Sequence, residues 1–191
     1  MSRTDQMLRF FQTEFPLNQQ GLEELLSSFE FVTKSKGTVL LKEGAKDNKL
    51  RFINTGVIRE YYVTADAEIN INFYTSPQFV TDFSSFIHAA KTKKNQDCLT
   101  EVDLLELDFK TFEDLLIKYD CGKSFIDGLF RSILESKELH EYNRLTKDAE
   151  ALYKELCIYK PHWLQSIPQY HIASYLGITP ETLSRIRKRI S

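Results

Sequence analysis

The sequence predicts an α+β chain: a sandwich or barrel-like roll of short strands, then a long helix, then two short C-terminal helices. Three observations carry this. Between residues 38 and 74 apolar residues recur with a period of two, broken by glycines roughly every 8–12 residues. Residues 122–142 place Phe125, Ile126, Leu129, Phe130, Ile133 and Leu134 on one wide helical face. Residues 167–190, IPQYHIASYLGITPETLSRIRKRI, hold two helical stretches divided at Gly177.

Residues 2–30 read as helical. Leu8, Phe11, Phe15, Leu22, Leu25, Leu26 and Phe29 carry the stripe, interrupted at Pro16. From Phe31 the period becomes two. Residues 38–41 form a strand that Glu43-Gly44 closes. Leu50, Phe52 and Ile53 begin another, and Gly56 turns it into residues 57–63. Residues 68–74, EININFY, alternate, with Ile69, Ile71 and Phe73 on one face and Asn70 and Asn72 on the other. Phe79-Val80 and residues 99–107 finish the roll. Between them lies DFSSFIHAAKTKKNQD, a short helix and a polar loop.

Residues 110–118 turn helical before the long helix. That helix is either core or pairs with its twin. Residues 143–146 break it. Thr146 caps a further helix over 147–159, which Pro161 ends, and Leu152, Leu156, Trp163 and Leu164 support the last two helices from behind. The expected units are 1–120, 121–144 and 145–191.

The C-terminal pair has strong local signals. Pro168 suits a helix start, Gly177 permits the positive φ that ends the first helix, and Thr179-Pro180 suits the N-cap and first position of the second. Leu183, Ile186 and Ile190 form an apolar back. Glu181, Thr182, Ser184, Arg185, Lys188 and Arg189 form a polar, basic front, which suits a DNA major groove.

Charge agrees with that placement. The chain carries −2 overall, while residues 161–191 hold four Lys/Arg against one acid, +3, leaving −5 for the remainder. A basic end on an acidic body touches DNA with one face. Cys98, Cys121 and Cys157 are scattered and odd in number, which points away from a disulfide framework or zinc site and towards a reducing cytoplasm. No signal peptide or 18-residue apolar window is present, so a soluble chain with no membrane partner is expected. The chain has no G-x-S-x-G, no P-loop and no His pair at metal spacing, so it reads as no enzyme, and no cofactor is expected.

The run IASYLGITPETLSRI resembles the helix-turn-helix of the Crp/Fnr family of bacterial transcription regulators. The run KGTVLLKEGAKDNKLRFINTGVIREYY resembles that family's cyclic-nucleotide-binding-like jelly roll, with Gly37, Gly44 and Gly56 at tight corners. The resemblance implies a homodimer held by Phe125, Leu129, Phe130 and Ile133. It also implies a pseudo-palindromic double-stranded DNA operator, RNA polymerase as a partner, and a small-molecule effector of unknown identity. Base edges fall to Thr179, Pro180, Glu181, Thr182 and Arg185, and phosphates to Gln169, His171, Ser174, Ser184, Lys188 and Arg189. Family members often have an arginine where this chain has Pro180, so the operator is expected to differ.

The family's phosphate cassette corresponds to QFVTDFSSFIHAAKTKKNQDCL. This run holds no Gly, Glu or Arg. Thr81, Asp82, Ser84 and Ser85 are the candidate effector residues, and Asp82 repels a phosphate, so cyclic nucleotides are not expected to bind. The iron–sulfur branch needs N-terminal cysteines, and the first 97 residues contain none. The competing reading is a cupin-like small-molecule binder or an interaction protein with a helical tail; the strands from 38 to 74 contain no His to hold a cupin metal.

Overall fold

The computed structural model describes residues 19–190 apart from Ser76 and Cys121, and gives only the backbone at residues 122–126, 129, 130, 132, 133 and 136. The expected helix over 2–30 therefore lies mostly outside the described residues. Its end is α1 (Gln19–Ser27), with Leu22 and Leu25 buried.

Eight strands follow: β1 (Glu30–Lys34), β2 (Val39–Leu41), β3 (Lys49–Thr55), β4 (Val57–Val63), β5 (Glu68–Thr75), β6 (Gln78–Phe79), β7 (Asn95–Cys98) and β8 (Val102–Asp108). They form two four-stranded antiparallel sheets, β1-β8-β3-β6 and β2-β7-β4-β5, which is jelly-roll order. The helix α2 (Phe83–His88) lies between β6 and β7.

The sequence reading placed a polar loop where β7 runs. Asn95, Gln96 and Cys98 are buried there, and β7 pairs with β4 from Ile58↔Cys98 to Tyr61↔Asn95. The interior of this roll is partly polar, so hydropathy does not reveal the strand. The strand expected over 99–107 begins only at Val102, and residues 99–101 form a corner that packs on Gly56. Gly56 has φ +98°, and an added Cβ there meets Glu101 O and Val102 Cα.

The alternation expected in EININFY does not hold. Pairing steps from Glu60↔Asn72 to Tyr61↔Asn70, leaving Ile71 as an extra residue. This bulge brings Asn70 and Phe73 onto one face, the face of Tyr61 and Arg59. Both are buried, while Ile69 is exposed.

Five helices complete the chain: α3 (Phe109–Lys118), α4 (Gly122–Thr146), α5 (Ala149–Tyr159), α6 (Pro161–Ser166) and α7 (Gln169–Tyr175). A sixth, α8 (Pro180–Ile190), closes it. The break expected at 143–146 is absent. Thr146 Oγ1 donates back to Tyr142 O at 2.7 Å, and Asp148 takes the capping role, accepting from Ala151 N at 2.8 Å. Pro161 ends α5 and also starts α6 at a first-turn position that needs no N–H donor.

Three apolar clusters hold the parts together. One sets α1, α2 and α3 against β3 and β8; a second fills the roll around Ile53, Ile58, Val80 and Leu104. The third joins Val57 and Phe73 of the roll to Trp163, Ile172, Leu183 and Ile186.

Candidate nucleic-acid interface

Local chemistry shapes the turn between α7 and α8. Gly177 has φ +69°; its N–H donates to Ser174 O at 3.1 Å, and Ile178 N–H reaches Ala173 O at 3.0 Å. These two bonds form a Schellman stop, which closes α7 and aims the chain into α8. Thr179 caps α8, its Oγ1 accepting from Thr182 N at 3.3 Å. Leu183 and Ile186 are buried on Ile172, Ala173 and Leu176, so the back of α8 is fixed.

The front of α8 faces solvent. Thr179, Pro180, Glu181, Ser184, Arg185, Lys188 and Arg189 are exposed and Thr182 is half-buried. Residues 181, 184, 185 and 188 share one side of the helix by spacing. The Arg185 guanidinium donates from Nη2 to Thr182 Oγ1 at 3.0 Å, which limits its rotamers while leaving its other donors outward. The Glu181 backbone N–H, then the Thr179 hydroxyl, hold the Glu181 carboxyl below its ordinary range, so it stays an acceptor. Arg189 pairs with Glu150 at 3.1 Å. The Arg189 end of that pair is exposed and its Glu150 partner half-buried, and such surface pairs exchange readily for a phosphate.

Gln169 is exposed at the start of α7, as a phosphate contact requires. His171 and Ser174 are corrections. His171 is 7% exposed and faces the roll, where its Nδ1 lies 3.1 Å from Asn70 Nδ2. Ser174 Oγ accepts from Asn70 N at 3.0 Å and donates to Glu68 O at 3.1 Å. Because β5 is an edge strand, those backbone groups had no strand to pair with, and α7 supplies the partner. Around this seam Phe73 meets Trp163 at 5.0 Å and Tyr175 at 5.9 Å, and Tyr175 also meets His140 of α4 at 5.9 Å. Nothing in the local sequence marks His171 as an inter-domain residue, because its partner lies 101 positions away.

The four candidate effector residues do not line one open site. Thr81 Oγ1 accepts from Arg51 N and donates to Lys49 O. Asp82 Oδ2 accepts from Thr92 Oγ1 at 2.6 Å, and Asp82 N donates to Asp47 Oδ2 at 3.0 Å. Ser85 Oγ accepts from Asp47 N and donates to Ala90 O, while Ser84 is exposed. Thr81, Asp82 and Ser85 are thus tied into the wall of the roll. The polar residues that sequence reasoning missed sit on the strands and on the loops that join them. Arg51 meets Asp47 at 2.7 Å and Glu106 at 3.5 Å, and Lys94 lies between Glu60 and Asp82. The charges at 51, 59 and 60 within otherwise apolar strands were the available signal.

The side chains of Phe125, Leu129, Phe130 and Ile133 lie outside the described residues. The backbone of α4 runs through them for 25 residues, and further along it Leu134, Tyr142 and Leu145 are exposed. No described helix is long and apolar enough to cross a membrane, and among the described residues no three His, Cys, Asp or Glu converge as metal ligands would.

No family model matches the chain. It is 24% identical over 188 residues to an anaerobic regulatory protein of Pasteurella multocida (strain Pm70), covering 92% of this chain and 68% of that one. Its fold is similar to that of FixK2 from Bradyrhizobium japonicum, with TM-score 0.68, 14% identity and coverage of 85% and 84%. It is also similar to a CooA mutant from Carboxydothermus hydrogenoformans, with TM-score 0.64, 16% identity and coverage of 92% and 86%. The catabolite activator protein of Thermus thermophilus gives TM-score 0.58 at 17% identity, covering 92% and 84%. The chain shares the fold of these proteins. The roll, the long helix and the helix-turn-helix stand in the order that the resemblance of the sequence implied.

Proposed function

We propose that this chain is a Crp/Fnr-type DNA-binding transcription regulator that reads a pseudo-palindromic operator as a homodimer. One observation carries the reading: α8 is capped, clamped on its apolar back, and presents Glu181, Ser184, Arg185 and Lys188 outward on one side. In this reading α8 enters the major groove. Arg185 offers a bidentate fork to guanine, and Glu181 accepts from a cytosine amino group. Pro180 has no donor to give. Gln169, Lys188 and Arg189 meet phosphates, which set register without reading sequence. The buried His171 is left out of the DNA contact.

Pairing along α4 places two recognition helices on half-sites about one helical turn apart. The exposed Leu134, Tyr142 and Leu145 support that use of the helix. The test is selection of binding sites from random duplexes followed by footprinting. An inverted repeat protected on one face is the expected result; no enriched sequence would overturn the reading.

A further inference from the structure

Inside the roll two buried carboxylates converge on one nitrogen. Glu60 and Asp82 are 4% and 5% exposed. One oxygen of each is committed to neutral donors. Glu60 Oε2 accepts from Gln96 Nε2 at 2.8 Å and Tyr74 Oη at 3.0 Å, and Asp82 Oδ2 accepts from Thr92 Oγ1 at 2.6 Å. The remaining oxygens face the same ammonium: Glu60 Oε1 lies 3.3 Å and Asp82 Oδ1 3.5 Å from Lys94 Nζ. A buried amide stands beside Glu60. Gln96 is fully buried, its amide nitrogen is held by Glu60, and its Oε1 has no partner among the described residues. A primary ammonium carries three N–H donors, and the free oxygens of Glu60 and Asp82 both face it here.

We propose that this part of the roll is a primary-ammonium site, occupied by the chain's own Lys94, and that the small molecules it admits are primary amines. The inference stands on the roll alone and goes beyond the DNA-reading role. Lys94 reaches in from the loop before β7, and its side chain is 23% exposed. It is a tethered occupant, so a free amine competes against a high local concentration of ammonium. Burial pulls the Lys94 ammonium towards deprotonation, but Glu60 and Asp82 outweigh it and hold the charge in place. A cyclic phosphate brings the wrong sign to the same groups.

The test is chemical rescue of Lys94→Ala. n-Propylammonium restores the atoms that this substitution removes. The variant is expected to melt well below the parent, and n-propylammonium chloride to raise its melting temperature along a saturating curve. Sodium chloride at equal ionic strength and tetramethylammonium, which has no N–H, are expected to do neither, and the parent to stay unmoved over the same range. A variant as stable as the parent, a variant that n-propylammonium does not stabilise, or equal rescue by tetramethylammonium overturns the proposal. If Lys94→Ala is insoluble, Lys94→Met with Glu60→Gln and Asp82→Asn decides. With the acids neutralised the lysine becomes dispensable and the triple variant folds; if it fails as Lys94→Ala does, the site is not built for a cation. Operator binding by the parent is measured separately, so failure of the regulator reading is distinguishable from failure of this one.

Discussion

Asn70 on β5 and His171 on α7 share a buried contact of 3.1 Å between Nδ2 and Nδ1 across 101 positions of sequence. The same Nδ2 also donates to the His171 carbonyl at 3.1 Å. An amide nitrogen only donates, so Nδ1 is the acceptor and the ring is neutral, with its proton on Nε2. The contact fixes the helix-turn-helix against the roll.

This pair makes stability depend on pH. Burial first, then Arg59, push the His171 imidazole from 6.5 to about 4. Between those values the unfolded chain binds a proton that the folded chain refuses. The contribution is therefore complete above about 6.5 and is lost as pH falls towards 4, on the order of 2–3 kcal/mol in all. Melting curves from neutral pH downward check the slope. Asn70→Asp places a carboxylate beside Nδ1, favours the imidazolium, and should flatten the slope; an unchanged slope would show that another group sets it.

Arg185→Ala should weaken the best operator by ~1–3 kcal/mol and relax base choice at one position. Lys188→Ala should instead weaken all sequences alike and lower the salt slope by about one. Titration of matched and mismatched duplexes at several salt concentrations separates the two behaviours. The same profile for both variants would mean α8 is not seated as proposed.

Two glycines offer a contrast. At Gly177 an added Cβ meets nothing within 4 Å, so Gly177→Ala pays only for its positive φ, roughly 1–2 kcal/mol. At Gly56 the added Cβ runs into the backbone at Glu101 and Val102. Gly56→Ala should destabilise more than Gly177→Ala, as denaturant midpoints of the two variants will show.

Leu134 and Leu145 are 59% and 80% exposed on α4. If α4 joins two copies, Leu134→Glu with Leu145→Glu converts dimers to folded monomers and abolishes binding to a full operator. Sedimentation velocity measures this, and a parent that is monomeric at micromolar concentration removes the dimer from the reading.

Cyclic AMP and cyclic GMP should give no stoichiometric heat on titration. A cyclic phosphate must exchange its water for donors. Asp82 and Glu60 instead present acceptors, and Lys94 is already held between them. Micromolar binding of either nucleotide accompanied by tighter operator binding would contradict this.

The helix-turn-helix was legible because its signals are local. Pro168, Gly177 and Thr179 each act through backbone geometry within a few residues, so a Schellman stop and an N-cap stand where the sequence placed them. The period-two run likewise marked β3, β4 and β5, and the wide apolar stripe marked α4.

Tertiary structure decided the rest. The bulge at Ile71 puts Asn70 and Phe73 on one face where simple alternation would put them on opposite faces, and it depends on pairing with β4. The strand Asn95–Cys98 is composed mainly of polar residues, and it is buried because Glu60 and its neighbours supply partners for them. His171 lies on a helix with every local mark of a DNA-facing unit, yet Asn70 captures it from across the chain. Apolar periodicity is written along the chain, whereas the fate of a polar side chain depends on which distant group meets it once the roll has closed.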